Sequence, residues 1–414
     1  MSTETAGHAA EAERLLDAVE HDFPDNPAGM RPFYELYRRI YCEGQPRRGS
    51  GPLIGVTCVQ VPEELIRALG ATPLRLCGGS YSQAQKGAEQ LPARTCSLIA
   101  STVGMLADKG PPLGGRDLAL MVSPTTCQSK SKAMQLAEGM GYPVHVLEVP
   151  QSNESEVARE YFHASVWRLV ARLEKATGRR LGVRQLDEAI RKVNSARAQF
   201  RRLKELRAGL GPVLLGKDAL LVSQAYLLED LDEWTAAVSR LNDELEQRRP
   251  TALEQRWGHA PRILLAGSPP VFPNLKVPLL IERLGGLIVA DEVCTSDRLL
   301  NDAVAYAEPH LEDMVPALAD RSLRPNTCPF YARNTERIRR LLEQAQKMKV
   351  DGVIYQTFSG CQIYELEQRA VERALTEKEI PMLALETDYS PDDLGQLTTR
   401  IETFLDIATH RPRS

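Results

Sequence analysis

A change of rhythm, occurring twice, restricts the fold of this 414-residue chain more than any other property of its sequence. From Pro52, apolar runs of strand length alternate with runs of helical length. LIGVT (53–57) reads as a strand, and PEELIRALG (62–70) as a helix with Pro in its first turn. TPLRLC (72–77), DLALMVSP (117–124) and VHVLEVP (144–150) read as strands, CSLIASTVGML (96–106) and SKSKAMQLAEGMG (129–141) as helices. Residues 152–248 then carry almost no strand signal, only apolar residues at helical spacing. After His259-Ala260-Pro261 the alternation resumes with RILLAGSP (262–269), KVPLLIERLG (276–285), GLIVADE (286–292), GVIYQTF (352–358) and PMLALETD (381–388). Strands alternating with helices predict parallel sheets. The reading is an N-terminal helical region (1–50), a first α/β domain (51–151), a helical segment (152–258) and a second α/β domain (259–414). The two domains resemble each other. Leu65-Ile66-x-x-Leu69-Gly70 leads into a strand ending at Cys77, and Leu280-Ile281-x-x-Leu284-Gly285 into one ending near Cys294.

Eight cysteines pose the chemical question: Cys42, Cys58, Cys77, Cys96, Cys127, Cys294, Cys328 and Cys361. No two lie within four residues of each other, which removes zinc ribbons, thioredoxin-like pairs and ferredoxin-type ligand runs. The N-terminus MSTETAGHAAEAERLL has no basic region followed by an apolar one, so a cytoplasmic location with reduced thiols is expected. A net charge of −4 gives no electrostatic case for nucleic acid, and no apolar run reaches the ~20 residues that span a bilayer.

The placement of the thiols points to metal rather than packing. Cys58, Cys77, Cys127, Cys294 and Cys361 follow predicted strands, and Cys96 opens a helix. That edge of an open α/β sheet is where ligands bind. A helix N-terminus also favours the thiolate that ligates metal. Soft thiolates select iron–sulfur clusters, zinc or Cu(I). Scattered thiols on loop–helix junctions suit a large cluster in a cleft between domains. A cubane with one open iron needs three ligands, so six cysteines are enough for two cubanes.

The motifs GVTCVQVPEELIRALGATPLRLC (55–77), ARTCSLIASTVG (93–104), SPTTCQSKSK (123–132), KVPLLIERLGGLIVADEVCT (276–295) and DGVIYQTFSGC (351–361) resemble the D component of the 2-hydroxyacyl-CoA dehydratase and benzoyl-CoA reductase family. The resemblance covers about residues 50–410. It implies that Cys96, Cys127 and Cys361 bind a cubane with one open iron. In a subgroup, the double-cubane cluster proteins, additional cysteines hold a second cubane joined by a bridging sulfide. Cys58, Cys77 and Cys294 match that pattern, with Cys328 a possible substitute for one of them and Cys42 structural.

Other residues carry two readings. Glu63 and Glu64 follow Pro62 at a helix start, where acidic residues are favoured in any helix. The resemblance adds a functional alternative, in which Glu64 is a catalytic carboxylate near the open iron. Gly78-Gly79-Ser80 is either a simple turn or a set of backbone donors to cluster sulfides. The segment Gly211 to Asp218 imitates a P-loop, but Asp218 stands where Mg²⁺ needs a hydroxyl. No G-x-G-x-x-G follows a strand, so bound NAD or FAD is not indicated.

The expected fold is therefore α/β, two small parallel-sheet domains of flavodoxin- or Rossmann-like type joined by a helical segment, with an iron–sulfur cluster in the cleft. The expected function is an oxygen-sensitive reductase holding a double-cubane [8Fe-9S] cluster and acting on a small-molecule substrate. The resemblance implies a homodimer and a separate ATP-dependent [4Fe-4S] reductase as electron donor. One alternative is a subunit of a 2-hydroxyacyl-CoA dehydratase or benzoyl-CoA reductase with a single [4Fe-4S] cluster. Another is a metal-free α/β protein that closes on a small ligand.

Overall fold

Each alternating stretch folds into its own four-stranded sheet, and every strand pair is parallel. The computed structural model describes residues 5–23, 25–45, 51–209, 211–248, 252–324 and 328–409. Strands β1 (Leu53–Val56), β2 (Thr72–Arg75), β3 (Leu120–Pro124) and β4 (Val144–Leu147) pair in the order β2-β1-β3-β4. Strands β5 (Arg262–Gly267), β6 (Leu287–Asp291), β7 (Gly352–Phe358) and β8 (Met382–Thr387) repeat it as β6-β5-β7-β8. The inner strands β1, β3, β5 and β7 are buried along their whole length, and the edge strands β4 and β8 are not. Strands covered by helices on both faces need continuous apolar runs, which is how LIGVT and RILLAG read. In both sheets the chain reverses its direction of travel between the two central strands, the position where such sheets bind ligands.

The internal resemblance reaches the hydrogen bonds. Gly70 and Gly285 both end a helix with positive φ, +68° and +93°. In each case the next residue's N–H closes the turn: Ala71 N donates to Ile66 O (3.1 Å) and Gly286 N to Ile281 O (2.9 Å). Only glycine adopts that left-handed cap without strain.

Two sequence expectations shift. The strand read over TPLRLC ends at Arg75, leaving Cys77 beyond the ladder. A helix at Tyr81–Ala88, too polar to show an apolar period, is nucleated by Ser80, whose hydroxyl accepts from Gln83 N.

Between 156 and 257 the described residues form five helices: Glu156–Thr177, Val183–Ala208, Gly216–Ala225, Leu231–Gln247 and Ala252–Trp257. The N-terminal helix Arg31–Tyr37 packs onto this layer, and Thr5–His21 packs onto the helix Tyr81–Ala88, whose Tyr81 N and Ser82 N donate to Glu11 (both 2.8 Å). Tyr37 donates to Leu221 O (2.8 Å), and its ring lies 4.4 Å from that of Phe272. The helix Gly216–Ala225 explains the P-loop imitation. It is buried throughout, and the carboxylate of Glu282 already accepts from Gly216 N (2.5 Å) and Lys217 N (3.0 Å). Lys217 donates to Asp218 (2.8 Å) and Asn26 (2.9 Å). No phosphate has room at that end. Among the described residues no helix is long and apolar enough to cross a membrane.

Candidate functional site

Seven of the eight cysteines converge where the C-terminal edges of the two sheets face each other. The contacts across that cleft are polar and close. The Arg75 guanidinium donates to Cys294 O (2.7 Å), and Tyr389 OH donates to Gly78 O (3.0 Å). Gly78 N donates to Thr102 Oγ1 (3.0 Å), and a Cβ on Gly79 would lie 2.1 Å from Val271 O. The Gly78-Gly79-Ser80 segment is thus a close-packing turn with the Gly78 donor already used.

Three thiols stand at helix N-termini. Cys96 precedes the helix Ser97–Asp108, Cys127 the helix Gln128–Gly139, and Cys361 the helix Gln362–Thr376. Cys127 Sγ accepts from Lys130 N at 3.4 Å. The loops carrying Cys96 and Cys361 meet because Gly360, with φ +79°, packs its Cα onto the Arg94 carbonyl. The thiol of Cys361 donates to Cys96, holding the Cys96 thiol below its ordinary pKa and pushing Cys361 well above it. Burial raises Cys127, the nearby charge of Lys130 opposes it, and Cys361 adds to the rise. These three thiols are one electrostatic group.

Cys58, Cys77, Cys294 and Cys328 form a second group. Cys58, just beyond β1, donates to the side-chain oxygen of Gln60. Burial raises its pKa, but Lys130 foremost and then the Gln60 backbone and Arg75 bring it below the ordinary value. Cys77 donates weakly to Thr57 O (3.9 Å). Burial lifts Cys77, against Arg75, and the negative charge of Cys294 lifts it further. Cys328 is pushed up to about 12 by burial, with Arg298 opposing and Cys58 adding to the rise. Cys127 feels Cys58, so the groups adjoin.

Cys42 is elsewhere. It ends a π-helical turn at Arg38–Cys42, and its thiol is lifted to about 12 by burial and by its hydrogen bond to Glu13. Glu64 is also committed elsewhere. Its carboxylate pairs with Arg197 at 2.7 Å, both side chains being almost wholly buried. Burial raises Glu64, but Arg197 and Arg321 pull it below the usual carboxylate range. Glu63 accepts from Arg67 at 2.9 Å.

The residues that sequence reasoning passed over are the cations. Lys130 acts on Cys58, Cys127, Cys77 and Cys328, and its Nζ donates to Thr126 Oγ1 (2.9 Å). Arg75 faces Cys58 and Cys77. Arg298 faces Cys294 and Cys328, while pairing with Glu292 at 3.3 Å. Lys130 had a legible signal, since a lysine three residues after Cys127 shares its helix face.

A cavity of about 630 Å³ opens beside Cys96 and Cys361, lined by their neighbours Thr95, Ser97, Gly360 and Gln362 and by Glu365 and Glu386. Among the described residues no three Cys, His, Asp or Glu side chains meet at a point that would hold a single metal ion. A cubane asks for something different, because its ligands surround four irons rather than one. The donor set fits such a group: all sulfur, soft, and faced by three cations that match the charge of thiolates and sulfides.

The sequence profile of the 2-hydroxyglutaryl-CoA dehydratase D-component family matches residues 58–408. The chain is 32% identical over 370 residues to YjiM of Escherichia coli K12, provisionally named a dehydratase subunit, covering 86% of this chain and 91% of that one. It is 23% identical over 390 residues to the beta subunit of (R)-phenyllactyl-CoA dehydratase from Clostridium sporogenes, covering 94% and 98%. It is 25% identical over 361 residues to subunit beta of (R)-2-hydroxyglutaryl-CoA dehydratase from Acidaminococcus fermentans, covering 85% and 91%.

Proposed function

The chain belongs to the 2-hydroxyglutaryl-CoA dehydratase D-component family, and from that premise we propose that it is an iron–sulfur reductase of the double-cubane type. The observation that carries the proposal is the convergence of seven thiols and three cations in one cleft. In this reading Cys96, Cys127 and Cys361 hold one cubane. Cys58, Cys77 and Cys294 hold the other, with Cys328 beside them. An iron–sulfur cluster there supplies storage and delivery of single low-potential electrons.

The chain's own residues do the rest. The positive ends of three helices oppose the cost of burying the thiols of Cys96, Cys127 and Cys361. Lys130, Arg75 and Arg298 bring positive charge where thiolate charge collects. The cavity at Thr95, Ser97, Gly360 and Gln362 gives a small substrate access to the Cys96–Cys361 side. Glu64, held ionised by Arg197, acts in this reading through Arg197, fixing the helix that follows Cys58. With the P-loop imitation buried, ATP use falls to a separate iron–sulfur reductase that docks as electron donor, and the chain pairs with a second copy.

The names of the relatives favour a second reading, a dehydratase or reductase subunit with one [4Fe-4S] cluster and a CoA-thioester substrate. The second group of thiols counts against it, because a single cubane needs at most four ligands. Iron and sulfide content after anaerobic purification decides. About eight irons per chain supports the double cubane and about four the second reading. A colourless, iron-free protein overturns both and leaves a metal-free ligand-binding protein.

A further inference from the structure

A buried or half-buried cation requires an anion. Lys217 shows the ordinary solution, with Asp218 at 2.8 Å. Lys130 shows another. Among the described residues it makes no ion pair with a carboxylate. Its ammonium donates to Thr126 Oγ1 (2.9 Å), its backbone N–H to Cys127 Sγ (3.4 Å), and four thiols surround it. Those thiols belong to both groups, Cys127 to one and Cys58, Cys77 and Cys328 to the other. Arg75 and Arg298 are differently placed. Arg75 spends its guanidinium on Cys294 O (2.7 Å), and Arg298 shares Glu292 (3.3 Å).

The position is also costly for a helix. Lys130 lies in the first turn of Gln128–Gly139, which has no acidic residue there. A cation at that end opposes the helix dipole. Local helix chemistry therefore does not account for the residue, and the thiols do.

We infer that Lys130 is a fixed positive charge shared by the two thiol groups, and that it sets the reduction potential of the clusters they hold. The inference rests on the cluster reading above and names the residue that tunes it. A positive charge stabilises the reduced, more negative state of a nearby centre, so removing it makes reduction harder. A lysine ammonium is charged at neutral pH without any help from its surroundings, so the charge is permanent there.

The test is a redox titration of anaerobically purified full-length protein followed by electron paramagnetic resonance, with iron content measured on each sample. Lys130→Met should lower the midpoint potential by at least a tenfold change in the one-electron equilibrium, about 59 mV. Lys130→Arg should restore the potential, because it keeps charge while changing shape. If Lys130→Met sheds iron, retention of iron in Lys130→Arg supports the charge role, and equal loss in both overturns it. Lys130→Met with full iron and an unchanged potential also overturns it. Iron-free wild-type protein would instead overturn the cluster reading, which separates the two failures.

Discussion

Gly360→Ala probes whether the Cys96 and Cys361 loops must touch. The ideal Cβ at position 360 would sit 2.0 Å from Arg94 O and 3.5 Å from Cys96 N. Real Cβ contacts are not shorter than 3.0 Å, so the loops must part by at least 3.0 − 2.0 = 1.0 Å. The residue also holds φ at +79°, which costs a non-glycine residue about 1–2 kcal/mol. Overpacking against backbone adds about 1–3 kcal/mol. The sum, about 2–5 kcal/mol, is a sizeable part of the ~5–15 kcal/mol that holds a folded domain together. Thermal melting and iron content of wild type, Gly360→Ala and Gly395→Ala measure it. Gly395 has open space around its Cβ and lies in the helix Leu394–Thr409, so its alanine variant should be neutral or gain up to about 1 kcal/mol. Gly360→Ala should melt at least ~4 °C lower, taking ~2 °C per kcal/mol, and lose iron. A melting temperature within about 1 °C of wild type, with full iron, would refute the claim that this contact fixes the two thiols.

Other expectations follow from the same geometry. Cys127→Ser and Cys361→Ser should each lose iron because a hydroxyl is a harder, less acidic donor, whereas Cys42→Ser should keep all of it. Arg197→Leu should destabilise by about 3–5 kcal/mol by taking the ion-pair partner from a buried Glu64, and adding Glu64→Leu should recover much of the loss in a denaturant titration. Glu282 is raised to about 7, by burial above all, so the folded protein binds a proton that the unfolded chain releases near its ordinary 4.5. Its contribution is present below about 4.5 and lost as pH rises to about 7. Melting curves across that window should fall more steeply for wild type than for Glu282→Gln, by up to about 3 kcal/mol. Turnover should fail with NADH alone and appear with a separate ATP-hydrolysing iron–sulfur protein. Steady turnover without that partner would sink the electron-supply scheme.

What the sequence disclosed and what it hid follow a physical division. Buried parallel strands must be apolar throughout, so β1, β3, β5 and β7 announced themselves. The equivalent glycine caps at Gly70 and Gly285 were visible as a repeated local pattern. The helix Tyr81–Ala88 was not, because its polar residues give no period and its signal is one Ser80 cap. Cysteine placement at strand ends was legible one thiol at a time. Their division into two groups came only from the family resemblance, because no local pattern shows that Cys58 and Cys328 meet in the folded chain. Glu64 shows the same limit: its partner Arg197 lies on a helix 133 positions away (197 − 64), and no local pattern reveals the pair.

Because the thiols come from both sheets, neither half of the chain can build the cleft by itself. A ribosome emits Cys58 early and Cys361 only 303 residues later (361 − 58). At about 5–20 residues per second that interval lasts roughly 15–60 s. Throughout it the earlier thiols emerge without the loop that completes their set. Completion of the thiol set therefore waits for the end of synthesis. Until then the fold cannot yet shield the earlier thiols from oxidation.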